Sequence, residues 1–169
     1  TFEWLPVTTL ASGAELRVPL HTLRGAYAGP TLGLSALVHG NEPLPSIGII
    51  RALLERIDPA ELRGTVLAAP VLNPLGYAAT TRHTPEDGLN LNAAFVDSDA
   101  GGHPEPVKTV SIQLSSAISA GFLSRLNYQI DFHTGGNASV HMIEFNDDEE
   151  SLAIARAFNM PILLRDVWL

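Results

Sequence analysis

Leu34-Ser35-Ala36-Leu37-Val38-His39-Gly40-Asn41-Glu42-Pro43 is a stretch in which an apolar run stops at a histidine. From Thr31 to Val38 the run is nearly continuous, as in a strand buried on both faces. Gly40 and Asn41 make a corner, Glu42 follows three residues after the histidine, and Pro43 opens a helical pattern. A strand ending at Val38 carries His39 to the rim of a sheet. At a first helical position Pro43 loses nothing by lacking an N–H, and Glu42 at the mouth of the helix meets a dipole that favours negative charge. Across such a corner His39 and Glu42 can reach one ion. Zinc accepts imidazole nitrogen and carboxylate oxygen, and two histidines with one glutamate form a ligand set that leaves a position open for water. His39-x-x-Glu42 by itself also fits a rim histidine beside a helix-capping acid, so a second strand end has to decide.

Downstream, Ile47, Ile50, Leu54 and Ile57 follow helical spacing, which predicts a helix over about 44–57. Asp58-Pro59 stops it, and Gly64 precedes a second buried strand, Thr65 to Ala69. Strand, helix, strand in this compass is a βαβ unit. It implies a parallel pair and an α/β fold, a mixed and largely parallel sheet flanked by helices. Ligands in such sheets sit at the carboxyl ends of strands, where His39 falls. Tyr128 to Phe132 reads as a strand ending at His133. Asp131 shares a strand face with His133 and can accept a hydrogen bond from the ring, as partners of metal-bound histidines do. A buried Asp–His pair holding a turn is the other reading of that segment. Two strand ends, each offering a histidine with an acid nearby, favour one metal site.

The remaining chain reads as scaffold. Residues 1–12 look like an irregular arm, and Glu15 to Leu20 like an edge strand, where Pro19 is tolerated. Gly25 to Pro30 is a turn. Pro70 to Asn92 is a long irregular loop of the kind that usually carries function, and Asp97 to Pro106 is a second loop, expected to be mobile. Val107, Val110, Leu114 and Ile118 mark a helix, about 139–145 a strand, Ser151 to Phe158 a helix, and Pro161 to Leu164 a short last strand. His21, His83, His103 and His141 read as surface or satisfied histidines, with His83 set apart by its neighbour Arg82.

At 169 residues, 46% of them hydrophobic, the chain suits one domain, 1–169, with a sizeable core. A net charge of −8 argues against nucleic acid or an anionic membrane surface as partner, though not against a small anionic substrate. There is no cysteine, which excludes disulfides and thiolate metal sites. No apolar run reaches the roughly 18–20 residues of a membrane span, and the first residues do not look like a signal peptide. A cytoplasmic location is the expectation.

An ordered set of motifs completes the reading: His39-Gly40-Asn41-Glu42, Asn73-Pro74-Leu75-Gly76, Arg82, Asp87-Gly88-Leu89-Asn90-Leu91-Asn92, and Asp131-x-His133. Over about residues 31–165 this resembles the succinylglutamate desuccinylase/aspartoacylase family, a branch of the zinc carboxypeptidase fold. The resemblance implies one zinc per chain, with ligands His39, Glu42 and His133. It also implies that Arg82 faces the scissile carbonyl, and that Asn92 contacts the carboxylate end of an N-acyl amino acid. By its own position Asn92 also fits a helix N-cap ahead of Ala93-Ala94-Phe95. A fixed guanidinium near a developing oxyanion suits amide hydrolysis.

Two departures from the family pattern stand out. The arginine that usually follows the asparagine is Ala93 here, and Val96-Asp97 replaces the usual Pro-Gly. The family's general-base glutamate lies several dozen residues beyond Asp-x-His, and no residue of this chain matches it. Glu144 of His141-x-x-Glu144 sits in an expected strand, where i and i+3 face opposite ways. The apolar ending at Leu169 is expected of an incomplete piece of a longer enzyme. The favoured function is a zinc-dependent deacylase of N-acyl amino acids. Carboxypeptidase-like cleavage of short peptides, a non-catalytic metal-binding domain, and a plain α/β binding domain without metal remain as alternatives.

Overall fold

The first twelve residues supply a strand rather than an irregular arm. In the computed structural model, which describes residues 1–42, 45–97, 109–134 and 141–165, β1 (Phe2–Thr9) runs antiparallel to β2 (Glu15–Arg24), from Phe2 opposite His21 to Thr9 opposite Glu15. Leu5 and Val7 turn toward the core, while Phe2 and Trp4 lie half-exposed, their rings edge to face at 5.0 Å. Apolar side chains on both faces hide the polar–apolar alternation by which a strand is recognised.

β2 is longer than expected and is not an edge. It pairs with β4 (Arg63–Ala69), but only from His21 opposite Ala68 onward. Pro19 therefore faces β1 alone and needs no ladder N–H on its other side, which is how an interior strand tolerates it. β3 (Tyr27–Ala36) starts before Thr31, absorbing a register irregularity against β4 between Tyr27 and Thr31. It ends at Ala36 instead of Val38, because Leu37 turns to φ 56°. The expected helix is α1 (Pro45–Arg56). Pro43 lies outside the described residues, and Pro45 is the first residue of the helix.

The long loop after β4 contains a short helix, α2 (Pro74–Ala79), and ends in α3 (Leu91–Asp97). Of the second expected loop, Asp97 closes α3, and 98–106 lie outside the described residues. α4 (Val110–Gly121) is capped by Thr109, whose side chain accepts the Ile112 N–H. A 3₁₀ turn, Leu123–Arg125, leads into β5 (Tyr128–Phe132).

The sheet order is β1-β2-β4-β3-β5. β3 is parallel to both β4 and β5, while the β1–β2 and β2–β4 pairs are antiparallel. This is the mixed α/β fold expected from the βαβ unit. The chain leaves β3 toward β4 and returns on the opposite side as β5. That reversal is a topological switch point, and in such sheets ligands sit at the carboxyl ends of the strands beside it.

Each face of the sheet carries its own core. Leu16, Val18 and Leu20 of β2 and Leu67 and Ala69 of β4 pack with Leu91, Ala94, Leu114, Ile118 and Phe122 from α3, α4 and the residue after α4. On the other face Ile50 of α1 packs against Leu34, Ala36, Val66 and Ala68, with Leu54 and Ile57 partly buried beside them. Alternate residues of β4 thus serve opposite cores, which explains its unbroken apolar run.

The chain forms two compact units, Thr1–Thr134 and Gly135–Leu169. In the second, β6 (Ile143–Phe145) and β7 (Leu163–Arg165) pair in parallel beside α5 (Glu149–Ala157). Asp148 caps α5 by accepting the Ser151 N–H, and Glu149 and Glu150 sit in its first turn, where the helix dipole favours acids. No helix of the described residues is long and apolar enough to cross a membrane.

Candidate metal centre

The site begins with the backbone that leaves β3. Leu37 is buried, and φ 56° is a costly conformation for a residue with a Cβ. The loop after β4 holds it there: the Leu72 N–H donates to the Ala36 carbonyl and the Asn73 N–H to that of Leu37, both at 3.0 Å. Asn73 is wholly buried and clamps three segments. Its backbone ties Leu37 just after β3, its Oδ1 accepts the Gly76 N–H at 2.9 Å as the cap of α2, and its Nδ2 donates to Thr84 Oγ1 at 3.1 Å. Pro74 follows as the first residue of α2, where no N–H is needed. The Asn-Pro-Leu-Gly motif is thus a brace for the histidine corner. Gly40 lies so close to α2 that a Cβ there would fall 1.8 Å from the Gly76 carbonyl carbon. The glycine is required by close approach of two backbones.

This backbone delivers His39, buried, toward Glu42. His39 Nδ1 lies 2.6 Å from Glu42 Oε1. Its Nε2 lies 3.0 Å from Asn90 Oδ1, which can only accept, so Nε2 carries a hydrogen. The same Asn90 oxygen accepts the Asn92 N–H at 3.0 Å, which makes Asn90 the cap of α3. The cap expected at Asn92 therefore belongs to Asn90, and Asn92 is an exposed residue in the first turn. Asn90's contact with His39 was missed in the sequence. Its only signal was the recurrence of asparagine in Asn90-Leu91-Asn92, where either could cap.

The second histidine arrives from β5. Ala36 and Phe132 are register partners, so β3 and β5 end level with one another. His133 Nδ1 lies 3.1 and 3.2 Å from the two Glu42 oxygens. Its Nε2 is 2.7 Å from Asp131 Oδ2, the i, i+2 partnership expected of a strand. The rings of His39 and His133 stand 5.2 Å apart at 60°. The Thr134 N–H points at Glu42 Oε2 at 3.4 Å, and the Thr134 hydroxyl, buried beside it, has no hydrogen-bond partner. Arg82, half-exposed, brings Nη1 to 3.6 Å from Glu42 Oε1. His83 is exposed, its carbonyl taking the Thr81 hydroxyl.

Charge is unevenly held in this group. Burial pushes the Glu42 carboxyl up, but hydrogen bonds from His133 and His39 outweigh it and hold the group down at about 2, from an ordinary 4.5. His133 is raised from 6.5 to about 10, by its hydrogen bond to Asp131 first and to Glu42 second, against burial. Two carboxylates thus converge on one imidazole, an arrangement that favours positive charge at the centre.

His39, Glu42 and His133 each offer one ligand atom, and these atoms all lie within 4.8 Å of one another. Bonds of about 2.0–2.2 Å in tetrahedral geometry set ligand atoms roughly 3.4 Å apart, so small rotations suffice to close the set. Two imidazoles and a carboxylate suit zinc. Each imidazole also keeps a partner on its other nitrogen, Asn90 for His39 and Asp131 for His133. The residues fit a divalent ion.

The chain belongs to the succinylglutamate desuccinylase/aspartoacylase family, whose catalytic-domain profile matches residues 28–166. It is 26% identical over 141 residues to an N-alpha-acetyl-L-2,4-diaminobutyric acid deacetylase of Halomonas elongata, a match covering 79% of this chain and 39% of that protein. Among solved structures, an aspartoacylase family protein of Mesorhizobium loti aligns at 27% identity with a TM-score of 0.80, over 98% of this chain and 52% of its own. The product-bound ectoine utilization protein EutE (DoeB) of Ruegeria pomeroyi shares the fold at 22% identity and a TM-score of 0.80, over 100% of this chain and 52% of its own. The chain thus spans about half the length of these structures and less of the curated relative.

Proposed function

We propose that this chain carries the metal centre of a zinc-dependent deacylase that hydrolyses the amide bond of an N-acyl amino acid. The observation that carries the proposal is the convergence of His39, Glu42 and His133 at the level ends of β3 and β5, with Arg82 beside them. The name of the Halomonas elongata relative, a deacetylase of an N-acetylated amino acid, supports this substrate class.

His39, Glu42 and His133 would hold one zinc ion, whose Lewis acidity lowers the pKa of water toward about 7 and polarises a carbonyl oxygen. Glu42, ionised across the neutral range, keeps its oxygens available as ligands. Asn90 and Asp131 hold the two rings at their outer nitrogens. Arg82 presents a guanidinium that is permanently charged and already at the site, and it stabilises the oxyanion that develops on the amide carbonyl. Asn92, exposed in the first turn of α3, is assigned to the substrate's carboxylate end by the family resemblance. Glu42 and Asp131 are both engaged with His133, so neither is free to take a proton from water.

Ala93, exposed on α3 where the family pattern has arginine, favours a second reading, a metal-binding domain without turnover. A panel of N-acetyl and N-succinyl amino acids and dipeptides, assayed for primary-amine release by the zinc-supplied protein, separates the readings. Release from the acylamino acids alone, abolished by Glu42→Gln, is the result the deacylase reading expects of a protein that also holds a general base. Cleavage of dipeptides alone would indicate the carboxypeptidase-like reaction. Bound metal with no amine release would leave the non-catalytic reading.

A further inference from the structure

A chain of hydrogen bonds continues from His133 into the sheet, through Asp131 of the Asp-x-His motif to Ser35 and Gln129, which the family motifs do not include. Asp131 Oδ2 meets His133 Nε2 at 2.7 Å. The other oxygen, Oδ1, lies 2.6 Å from Ser35 Oγ, and Ser35 Oγ lies 2.9 Å from Gln129 Nε2. Ser35 is wholly buried and is the β-register partner of Asp131 on the neighbouring parallel strand. Gln129 precedes Asp131 by two residues and shares its strand face.

The donors and acceptors in this chain have one consistent assignment. An ionised carboxylate only accepts, so the 2.6 Å contact needs the single Ser35 proton. Ser35 Oγ must then accept from its other neighbour, and the Gln129 NH₂ donates to it. The Gln129 amide thereby directs the Ser35 hydroxyl at Asp131. With one oxygen taken by Ser35 and the other by His133, the Asp131 carboxylate cannot rotate freely. A fixed carboxylate keeps a hydrogen on Nε2 of His133 and turns Nδ1 toward Glu42.

We propose that Ser35, directed by Gln129, is a positioning residue of the metal centre, locking the Asp131 carboxylate that orients His133. The proposal rests on the metal-centre reading for its effect on binding, but its effect on the His133 ring does not need a metal. Loss of a partner bonded directly to a ligand, as Asp131 is to His133, typically changes metal affinity by about 10–100-fold, and Ser35, one bond further out, acts through it with a smaller effect.

The test compares Ser35→Ala, Ser35→Thr and Gln129→Glu with the original protein. Zinc affinity is measured by chelator competition, and the His133 ring by ¹⁵N-resolved NMR of the metal-free protein. Ser35→Ala should weaken zinc binding by up to about 10-fold, the lower end of the range for a direct partner, and lose the slowly exchanging Nε2 proton of His133, while Ser35→Thr keeps both. Gln129→Glu is a surface change that serves if the buried alanine variant fails to fold. Its added negative charge alone would strengthen cation binding, but its carboxylate competes for the Ser35 proton, so weaker binding is expected. Unchanged affinity and an unchanged Nε2 proton in Ser35→Ala would overturn the proposal, as would tighter or unchanged binding in Gln129→Glu. If the original protein binds no zinc, the metal-centre reading fails and the NMR arm alone decides: a retained Nε2 proton in Ser35→Ala overturns the positioning role, and its loss supports it.

Discussion

Glu42 lies within hydrogen-bond distance of both His39, at 2.6 Å, and His133, at 3.1 Å. The first contact is local and is made by a three-residue corner. The second depends on parallel pairing of β3 with β5, so the carboxylate registers whether the two strand ends are level. Several consequences can be measured.

In the proposed function Arg82 supplies charge and is not a ligand. Arg82→Ala should lower kcat for the acylamino-acid substrate about 10²–10³-fold, as loss of an oxyanion donor does, with zinc content unchanged. Parallel loss of zinc would show instead that Arg82 holds the site together.

Asn90 has two duties that two measurements can separate. Asn90→Ala removes the α3 cap, costing about 1 kcal/mol, and the outer partner of His39, weakening metal binding about 10–100-fold. Asn90→Asp retains an acceptor oxygen and should keep both. Chemical denaturation and chelator competition, run on the same samples, distinguish the two effects.

Two glycines should respond in opposite directions. Gly40→Ala sets a Cβ against the α2 backbone, and overpacking of this sort costs about 1–3 kcal/mol. Gly48 is a helical position in α1 where an added Cβ meets nothing within 4 Å. Gly48→Ala should stabilise the protein by up to about 1 kcal/mol. Equal melting temperatures for the two variants would contradict the close approach of the corner to α2.

Asp87 ties the loop before α3 to the start of α4. Its Oδ2 accepts the Ser111 N–H at 2.7 Å and its Oδ1 the Ser111 hydroxyl at 2.9 Å. Burial pushes this carboxyl up, yet the hydrogen bonds from Ser111 and Leu89, led by the Ser111 N–H, hold it below its ordinary 3.8. A carboxyl depressed in the folded state stabilises fully above its ordinary pKa, and the stabilisation is lost as pH falls through the folded value. Asp87→Asn should therefore lower the melting temperature by about 2–4 °C at pH 7, the shift expected for about 1 kcal/mol in a chain of this size. The gap between the two proteins should close as pH falls below 3.8. A gap independent of pH would assign the effect to packing.

Much of this architecture was legible in the residues. The apolar runs before His39 and His133, with the helical spacing of Ile50, Leu54 and Ile57, sufficed for the βαβ unit and the strand-end histidines. β1 was not legible, because Phe2 and Trp4 place aromatic rings on the face opposite Leu5 and Val7. Pro19 suggested an edge for β2, since sequence does not show that β4 pairs only beyond it. α2 carried a readable signal, an asparagine cap followed by proline, hidden within an otherwise irregular loop. The choice between Asn90 and Asn92 as the α3 cap depended on where His39 lies, and that long-range relation has no local signature.

The most direct measurement is the zinc content of the purified protein by elemental analysis, beside Glu42→Gln and His133→Ala. About one zinc per chain in the original protein and none retained by either variant is the expected result. A protein that takes up no zinc when supplied, or variants that keep it, would contradict a centre built from His39, Glu42 and His133.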